Sequence, residues 1–567
     1  MPAFFFAMRF WILFLALSAW LPVAAEPRGH VKLEKTLHVE ASHLLLPVAN
    51  KGKRHLLGIY QGDRLVQNFT VALPQDEMAF WWAAYPLEPF GLEGKTIRIA
   101  PVDGKALRDS FSGAFERMTV GTQEDAWKET DYSQPYRDQL HVSTRRGWNN
   151  DPNGMVYHQG KYHLFYQHNP FGIQWGNMHW GHFESTDLIH WEEKPIALFQ
   201  NTTSDMMFSG GGFVDFNNSA GLGQDTLFVV FTSTGRGECL AYSQDGGLTF
   251  TEIEENPIIV HEGRDSKILW YEPEQKWVLA VFNLEPCPET EALPAREETD
   301  PERLHNHIAF WESKDLRSWT RTGAFTHPDR DALHECPELF ELPVEGKSGE
   351  SRWILYGAQN RYFIGDFDGR TFQADSGPHG DPRETQKVGP PGGRGTMYAA
   401  QTFSHSPDGR RIQMGWLRTA TYLRAYPDQL TSQSMSLPHE FLLRETGLGL
   451  RLIYRPVVEL EGLRGSLLTE EVGGLSAAEG KLAEILVEFD APGSHQLTIN
   501  GIDASFEGRT AHIFSDRNTN ELYIDGGLEY RTYRRDPGRI GSTETRKLSD
   551  GTIQSLQIFE LRSIWGE

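Results

Sequence analysis

The sequence predicts an all-β protein: a five-bladed β-propeller, a C-terminal β-sandwich and a small N-terminal β-rich domain. A recurring turn carries most of this. Ser-x-Asp followed by an aromatic appears as Ser185 to Trp191, Ser243 to Phe250 and Ser313 to Trp319, with a glycine variant from Gly365 to Phe372. In such turns the Ser and Asp side chains bond the local backbone, and the aromatic packs inward. The copies recur at intervals of roughly 50 to 70 residues, which suits four-stranded blades with variable loops. Pro407-Asp408-Gly409 reads as a degenerate fifth copy. A change of pattern beyond Pro456 is the second observation. The runs Leu486 to Asp490, Ser494 to Asn500, Thr510 to Phe514 and Glu521 to Asp525 alternate apolar and polar residues, as an antiparallel sandwich requires. Thirdly, no long amphipathic helix, coiled coil or low-complexity tract interrupts the strand-like segments.

Taken in order, Phe10 to Leu21 is an apolar run behind Arg9, and it ends in Pro22-Val23-Ala24-Ala25. This reads as a secretory signal peptide, residues 1–25, cut after Ala25 and sending the protein to the periplasm or the outside. Residues 26–130 hold short β-like runs such as His43 to Val48, His55 to Tyr60 and Thr96 to Ala100, the outline of a small β-sandwich. Trp81 and Trp82 in this unit suit either a sugar platform or a core. Gln123 to Arg137 is polar and Pro-containing and reads as a linker. The propeller is expected over residues 135–450, with an acidic exposed loop at Glu289 to Glu302, and the sandwich over 456–567.

Composition narrows the function. The 77 Asp and Glu outnumber the 54 Lys and Arg, giving a net charge of −23. Such a surface repels phosphate backbones, so a nucleic-acid partner is not expected. No apolar stretch after the leader is long enough to span a membrane. Three cysteines, Cys239, Cys287 and Cys336, allow one disulfide at most and show no metal-ligand spacing, so neither metal nor other cofactor is expected. The 16 Trp suit a neutral polar ligand such as a sugar, though an aromatic-rich β core uses them equally well.

Three acids stand in unusual company. Asp151 lies in Trp148-Asn149-Asn150-Asp151-Pro152-Asn153-Gly154, read as a turn because Asn, Asp, Pro and Gly favour turns. Asp265 lies in Gly263-Arg264-Asp265-Ser266-Lys267, and Glu335 precedes Cys336 and Pro337. They fall in different blades, so one end of a propeller channel brings them together. Glycoside hydrolysis needs two carboxyls flanking the scissile bond, one of them able to hold a proton near neutrality. Glu335 has the less polar neighbours and is the candidate acid. Asp151, among amides, and Asp265, beside Arg264 and Lys267, are expected to stay ionised.

At these motifs the chain resembles glycoside hydrolase family 32, the β-fructofuranosidases, which include invertases, exo-inulinases and levanases. The family's Trp-Met-Asn-Asp-Pro-Asn-Gly, Arg-Asp and Glu-Cys-Pro motifs correspond to Trp148 to Gly154 (with Asn149 in the Met position), Arg264-Asp265 and Glu335 to Pro337. The resemblance implies a propeller followed by a sandwich. It implies Asp151 as nucleophile, Glu335 as general acid/base and Asp265 as transition-state stabiliser, in retaining release of terminal fructosyl units from a fructan or sucrose-type substrate. The family's sugar contacts carry over to Asn150, Asn153, Gln167, Trp175, Phe208, Ser209 and Arg264. Gly211 and Ser266 depart from common family choices, and a further pocket-wall Trp has no counterpart in Arg418 to Tyr426; leaving-group preference is what this puts in doubt. A fructosyltransferase of the same family and a non-catalytic carbohydrate-binding propeller are the alternatives. The presence of all three acids argues against the latter.

Overall fold

The computed structural model describes residues 29–75, 79–127, 132–285, 287, 306–380, 394–418, 429–548 and 551–566. The expected leader, residues 1–25, and the acidic loop, residues 289–302, lie outside these.

Two larger sheets form the N-terminal unit, with a two-stranded pair of His30–Val31 and Leu107–Arg108 beside them. One orders Lys35–His38, Thr96–Pro101, Arg54–Gln61 and Arg64–Ala72; the other orders Trp81–Pro86, His43–Val48 and Thr119–Gly121. Along Trp81–Pro86 burial alternates, so Trp81, Ala83 and Tyr85 face inward with Leu44, Leu46, Leu57 and Phe69. Trp81 is therefore core. The stretch read as a linker holds a short helix, Gln123–Ala126, closed by a Thr122–Asp125 capping box.

Five units, each with a run of four antiparallel strands, then surround a channel; the first two carry a further short strand, Thr431–Ser432 (parallel to Gly147–Trp148) and Met207–Phe208. Their innermost strands are Gly147–His158, Gly212–Asp215, Gly263–Tyr271, Glu338–Pro343 and Arg394–Thr402. The Ser-x-Asp turns join the third and outermost strands of the first three blades, and the glycine variant does so in the fourth. The bonding is that expected: Ser185 Oγ reaches Asp187 Oδ1 at 3.0 Å, and Ile189 and His190 N–H donate to the same oxygen at 2.9 and 2.8 Å. Pro407–Gly409 breaks the pattern. It joins the first and second strands of blade five, Arg394–Thr402 and Ile412–Arg418. The outer hairpin there, between His439–Thr446 and Gly449–Pro456, is closed instead by Thr446 Oγ1 donating to Gly449 O at 2.7 Å. Pro-Asp-Gly suits any tight turn, so it does not mark a position within a blade.

The heptapeptide around Asp151 is also not a turn. It lies in the innermost strand of blade one, with register shifts between Asn149 and Pro152 and between Asn153 and Val156. Bulges let residues that disfavour regular strands sit in one and re-aim its side chains. Gly154 shows why this strand is tightly specified. Its φ is +54°, and a Cβ there would lie 2.6 Å from the Phe165 ring. Its N–H donates to Gly210 O at 2.9 Å, locking blade one to blade two.

In the C-terminal sandwich the two strands expected over 486–490 and 494–500 are one, Ala483–Ile499. Ala491-Pro492-Gly493 reads as a break but forms a bulge, with a register shift between Glu488 and Gly493. The sandwich sheet runs on into blade five, where Arg394 and Gly395 pair with Tyr533 and Thr532. A second join lies at residues 138–141. Asp516 accepts the N–H groups of Gln139 and Leu140 at 2.8 and 2.6 Å and His141 Nδ1 at 2.7 Å. His141 Nε2 lies 3.1 Å from Glu521 Oε1. Among the described residues no helix is long and apolar enough to cross a membrane.

Candidate active site

Asp151 and Asp265 lie near the starts of the innermost strands of blades one and three, and Glu335 lies just before that of blade four. Asp151 Oδ1 accepts Asn150 Nδ2 at 3.0 Å, and its Oδ2 accepts Ser209 Oγ at 2.8 Å. Asn150 is oriented in turn by Trp148, whose ring N–H donates to it at 2.7 Å. Asp265 sits at a bulge in blade three with φ +67°, its N–H donating to Thr232 Oγ1 at 2.9 Å. Glu335 and Cys336 just precede the inner strand of blade four with φ +55° and +43°. Left-handed backbone is unfavourable for non-glycine residues and persists where the surroundings impose it. Here Ala358 N–H donates to both His334 O and Glu335 O, at 3.0 and 2.8 Å.

Cys336 forms the floor between the acids. Its Sγ lies 3.9 Å from Asp151 Oδ2 and 3.6 Å from Asp265 Oδ2, and its N–H donates to Asp265 Oδ2 at 3.3 Å. Burial, with the carboxyls around it, pushes the thiol well up, so Cys336 serves as a neutral weak donor. All three cysteines are free.

The guanidinium of Arg264 goes to Glu335. Its Nε and Nη2 donate to Oε1 at 3.0 and 2.6 Å, while Asp265 Oδ2 lies 3.8 Å from Nε. The other Glu335 oxygen accepts the Tyr398 hydroxyl and lies 3.5 Å from His334 Nε2. Burial pushes Glu335 upward, but His334, Arg264 and Tyr398 together outweigh it and hold this carboxyl below its ordinary value. Asp151 is raised to about 6 by burial and by the charge of Glu335, against the Ser209 and Asn150 hydrogen bonds. Asp265 is raised well above its ordinary value, again chiefly by burial, with Arg264 opposing.

This order reverses the expectation from sequence. Glu335, not Asp151, is the carboxyl best held as an anion. Neither of the two cations next to Asp265 in sequence hydrogen-bonds it, and the charge of Arg264, 3.8 Å away, only partly offsets its burial. Arg264 turns to Glu335, and Lys267 turns into the channel, where it lies 2.9 Å from Glu338 Oε1 and donates to Thr402 O at 3.0 Å.

The expected sugar contacts divide into two groups. Asn150, Ser209 and Arg264 lie against the acids. Trp175 and Phe208 meet edge to face with centroids 6.1 Å apart, and Trp175 is 47 % exposed, so they stand at the rim. Asn153 and Gln167 are fully buried, and their polar groups are taken up inside the protein. With its amide oxygen toward Gln167, Asn153 accepts Gln167 Nε2 at 3.0 Å and donates to Ser209 Oγ at 3.2 Å. Gln167 Nε2 also donates to Met207 O at 2.9 Å. These two residues hold the wall behind Ser209.

Sequence reading missed Tyr398 and Thr232, which lie in other blades and carry no motif. Tyr398 is framed by Trp416 at 6.1 Å and by the Arg418 guanidinium 4.7 Å above its ring. Residues 419–428, where a further pocket Trp has no counterpart in the sequence, lie outside the described residues. Two histidine-containing clusters have metal-like donor sets: His163, His182 and Glu184, and Asp138, His141 and Asp516. Neither includes a pocket acid. Glu184 already holds Lys161 at 2.7 Å, and Asp516 holds His141.

Comparison with known proteins agrees with this arrangement. Residues 141–456 match the Glycosyl hydrolases family 32 N-terminal domain. The chain is 32 % identical over 446 residues to the levanase of Bacillus subtilis, covering 72 % of this chain and 61 % of that protein. It is 32 % identical over 376 residues to the extracellular exo-inulinase of Aspergillus awamori, covering 57 % of this chain and 65 % of the relative. Against invertase 2 of Saccharomyces cerevisiae it is 32 % identical over 332 residues, or 54 % of this chain and 57 % of the relative. It thus spans less than two thirds of each. Among solved structures, the exo-inulinase from Aspergillus awamori superposes with a TM-score of 0.62 at 23 % identity, over 76 % of this chain and 100 % of that one. The β-fructofuranosidase from Schwanniomyces occidentalis complexed with fructosyl-erythritol gives 0.58 at 21 %, over 77 % and 99 %. These structures share the fold. With the family's three motifs brought to one end of one channel, and the family domain matched across all five blades, this chain belongs to glycosyl hydrolase family 32.

Proposed function

We propose that the protein is a secreted, retaining, exo-acting hydrolase that releases terminal β-D-fructosyl units from fructans of the levan or inulin type, and from sucrose. The observation that supports this best is the convergence of Asp151, Asp265 and Glu335 around Cys336 and Arg264. Asp151 attacks the anomeric C2 of the terminal fructose, and Glu335 protonates the departing oxygen. Water activated by Glu335 then releases fructose. A retaining pair works at about 5–5.5 Å between carboxyls. Asp265 accepts hydroxyls of the same sugar, and Arg264 and Tyr398 hold Glu335 in place.

For this cycle, substrate binding redistributes the protons among the three acids. Hydrogen bonds to an ionised carboxylate favour the anion. Sugar hydroxyls donating to Asp151 and Asp265 stabilise those anions. Two new negative charges beside Glu335 favour its protonated form. The acid is thus armed by substrate, and the pocket titrates as one coupled unit.

Incubation of the protein with levan, inulin, sucrose and raffinose, followed by sugar analysis, tests the reading. Fructose as the only product from the polymers marks exo action. Mixed oligosaccharides contradict exo action, and longer products at high sucrose mark transfer. Inertness on all four sinks the proposal. A secreted address predicts that the mature protein begins at Glu26, which N-terminal sequencing decides.

A further inference from the structure

The N-terminal unit fastens the loops that carry the two rim aromatics. Trp175 lies between the second and third strands of blade one, Lys161–Asn169 and His179–Ser185. Phe208 follows the segment that leaves the outermost strand of that blade, Glu192–Leu198. Both segments run along the strand Arg64–Ala72 and its neighbour Arg54–Gln61. Arg54 Nη1 donates to Trp175 O at 2.8 Å. Asn177 donates to Thr70 O and accepts Thr70 N–H, each at 2.8 Å, pairing a side chain with backbone as a strand would. The same Asn177 amide donates to Asn169 Oδ1 at 2.9 Å, which ties down the start of the loop. On the Phe208 side, Gln67 Nε2 donates to Gln200 O at 2.7 Å, and Gln200 Nε2 donates to Asn68 O at 2.8 Å. Thr203 N–H donates to Asn68 Oδ1 at 2.7 Å.

Apolar contacts make this join more than a surface touch. Phe171 and Ile173, from the Trp175 loop, belong to the core of the N-terminal unit. Phe171 stacks on Phe69 at 4.0 Å and meets Tyr85 at 4.8 Å. A loop with its aromatic buried in another unit's core has few positions open to it. On the far side of the Asp151 strand, Arg146 donates to Trp82 O at 3.2 Å and Asn50 to Gln429 O at 3.2 Å. Leu430 O accepts Gly147 N–H at 2.8 Å, beside Trp148.

We infer that the N-terminal unit is a working part of the sugar site. It is a brace that sets the spacing of Trp175 and Phe208, and through them the grip on the sugar at the pocket rim. This rests on the fructan-hydrolase reading for the identity of the sugar. Arg54, Asn177, Gln67 and Asn68 act as positioning residues, since the structure gives them contacts to the rim segments and none to the acids. The inference assigns this β-rich unit to substrate recognition and predicts effects on KM rather than on chemistry.

Arg54 is exposed and is the safest probe. Arg54→Ala is expected to raise KM for a fructan polymer roughly three- to tenfold, the range for one lost hydrogen bond. It should leave kcat within twofold and the melting temperature unchanged. Arg54→Lys should restore part of the loss. Combined with Trp175→Ala, it should add little, because residues acting through one contact are not additive. An unchanged KM, or a loss that adds in full to that of Trp175→Ala, overturns the brace. A companion measurement needs no substrate. Hydrogen exchange over residues 170–178 should quicken in Arg54→Ala, with exchange in the blade strands unaltered; unchanged exchange there also overturns it. Wild-type protein inert on every fructan would refute the hydrolase reading, and the exchange result would still decide the brace.

Discussion

Two clusters of buried carboxyls in this protein have opposite fates. At the join between propeller and sandwich, Asp138, Asp516 and Glu521 meet His141 and Arg534, and their oxygens accept donors fixed by the fold. Asp138 accepts Asn518 N–H, Thr519 Oγ1 and Arg534 Nη1 at 2.8, 2.9 and 2.9 Å. Glu521 accepts Leu437 N–H at 3.0 Å as well as His141. Burial alone would lower His141, but Asp516 and Glu521 hold it protonated, up to about 10. In the pocket, burial and mutual charge outweigh the donors around Asp151 and Asp265, and these two of the three carboxyls are pushed toward neutrality. A buried polar group with its partners in place is structure; one left short of partners is available for chemistry.

The largest expected effect breaks the pocket side of this contrast. Asp151→Asn and Glu335→Gln should each lower turnover on a fructan by about 10⁴-fold, as loss of a member of a catalytic unit does, with folding intact. Near-normal turnover in either variant would move the chemistry elsewhere. Stability should respond in the opposite sense. His141→Ala strands two buried carboxylates and should cost about 3–5 kcal/mol in denaturant unfolding. Asp265→Asn removes a strained buried charge and should leave unfolding free energy unchanged or raised, while activity falls. Equal destabilisation by the two would erase the distinction.

Titration sharpens it further. As the proposed nucleophile, Asp151 must be ionised, so kcat/KM should fall as pH drops through about 6. Ser209 lowers the pKa of Asp151 through its hydrogen bond. Ser209→Ala should therefore shift this acid limb to higher pH, which a pH profile reads directly. The join behaves oppositely. A histidine raised in the folded state contributes its full stability below the unfolded value of about 6.5. That contribution is lost as pH rises toward about 10. Unfolding free energy should decline over that window in the wild type and stay flatter in His141→Ala.

What the sequence disclosed follows the range of the interactions involved. The Ser-x-Asp turns are closed by bonds within a few residues, so four blades were legible as text. The fifth was not, because Thr446 closes its outer hairpin with different chemistry. The three acids were found because each carries its own short motif. Their protonation order was not, since it depends on Tyr398 from blade five and on Arg264 choosing Glu335 over the adjacent Asp265. Asn153 and Gln167 were expected to face sugar. The motif carries their identity, but only the packed strands reveal that Gln167 donates to Asn153 and Met207 O while Asn153 donates to Ser209. The Asp151 heptapeptide misled for a related reason: turn-forming residues there supply bulges in a strand whose course is set by Gly154 against Phe165 and Gly210.

The central claim is that Asp151 becomes covalently attached to substrate, with Glu335 assisting. Rapid acid quench during turnover of sucrose or a short fructan, followed by proteolysis and mass spectrometry, tests it most directly. The expected result is a fructosyl ester on the peptide carrying Asp151, formed and lost at rates consistent with turnover and not detected in Asp151→Asn. An ester on any other residue would contradict the account, as would full turnover with inversion at the anomeric carbon and no ester.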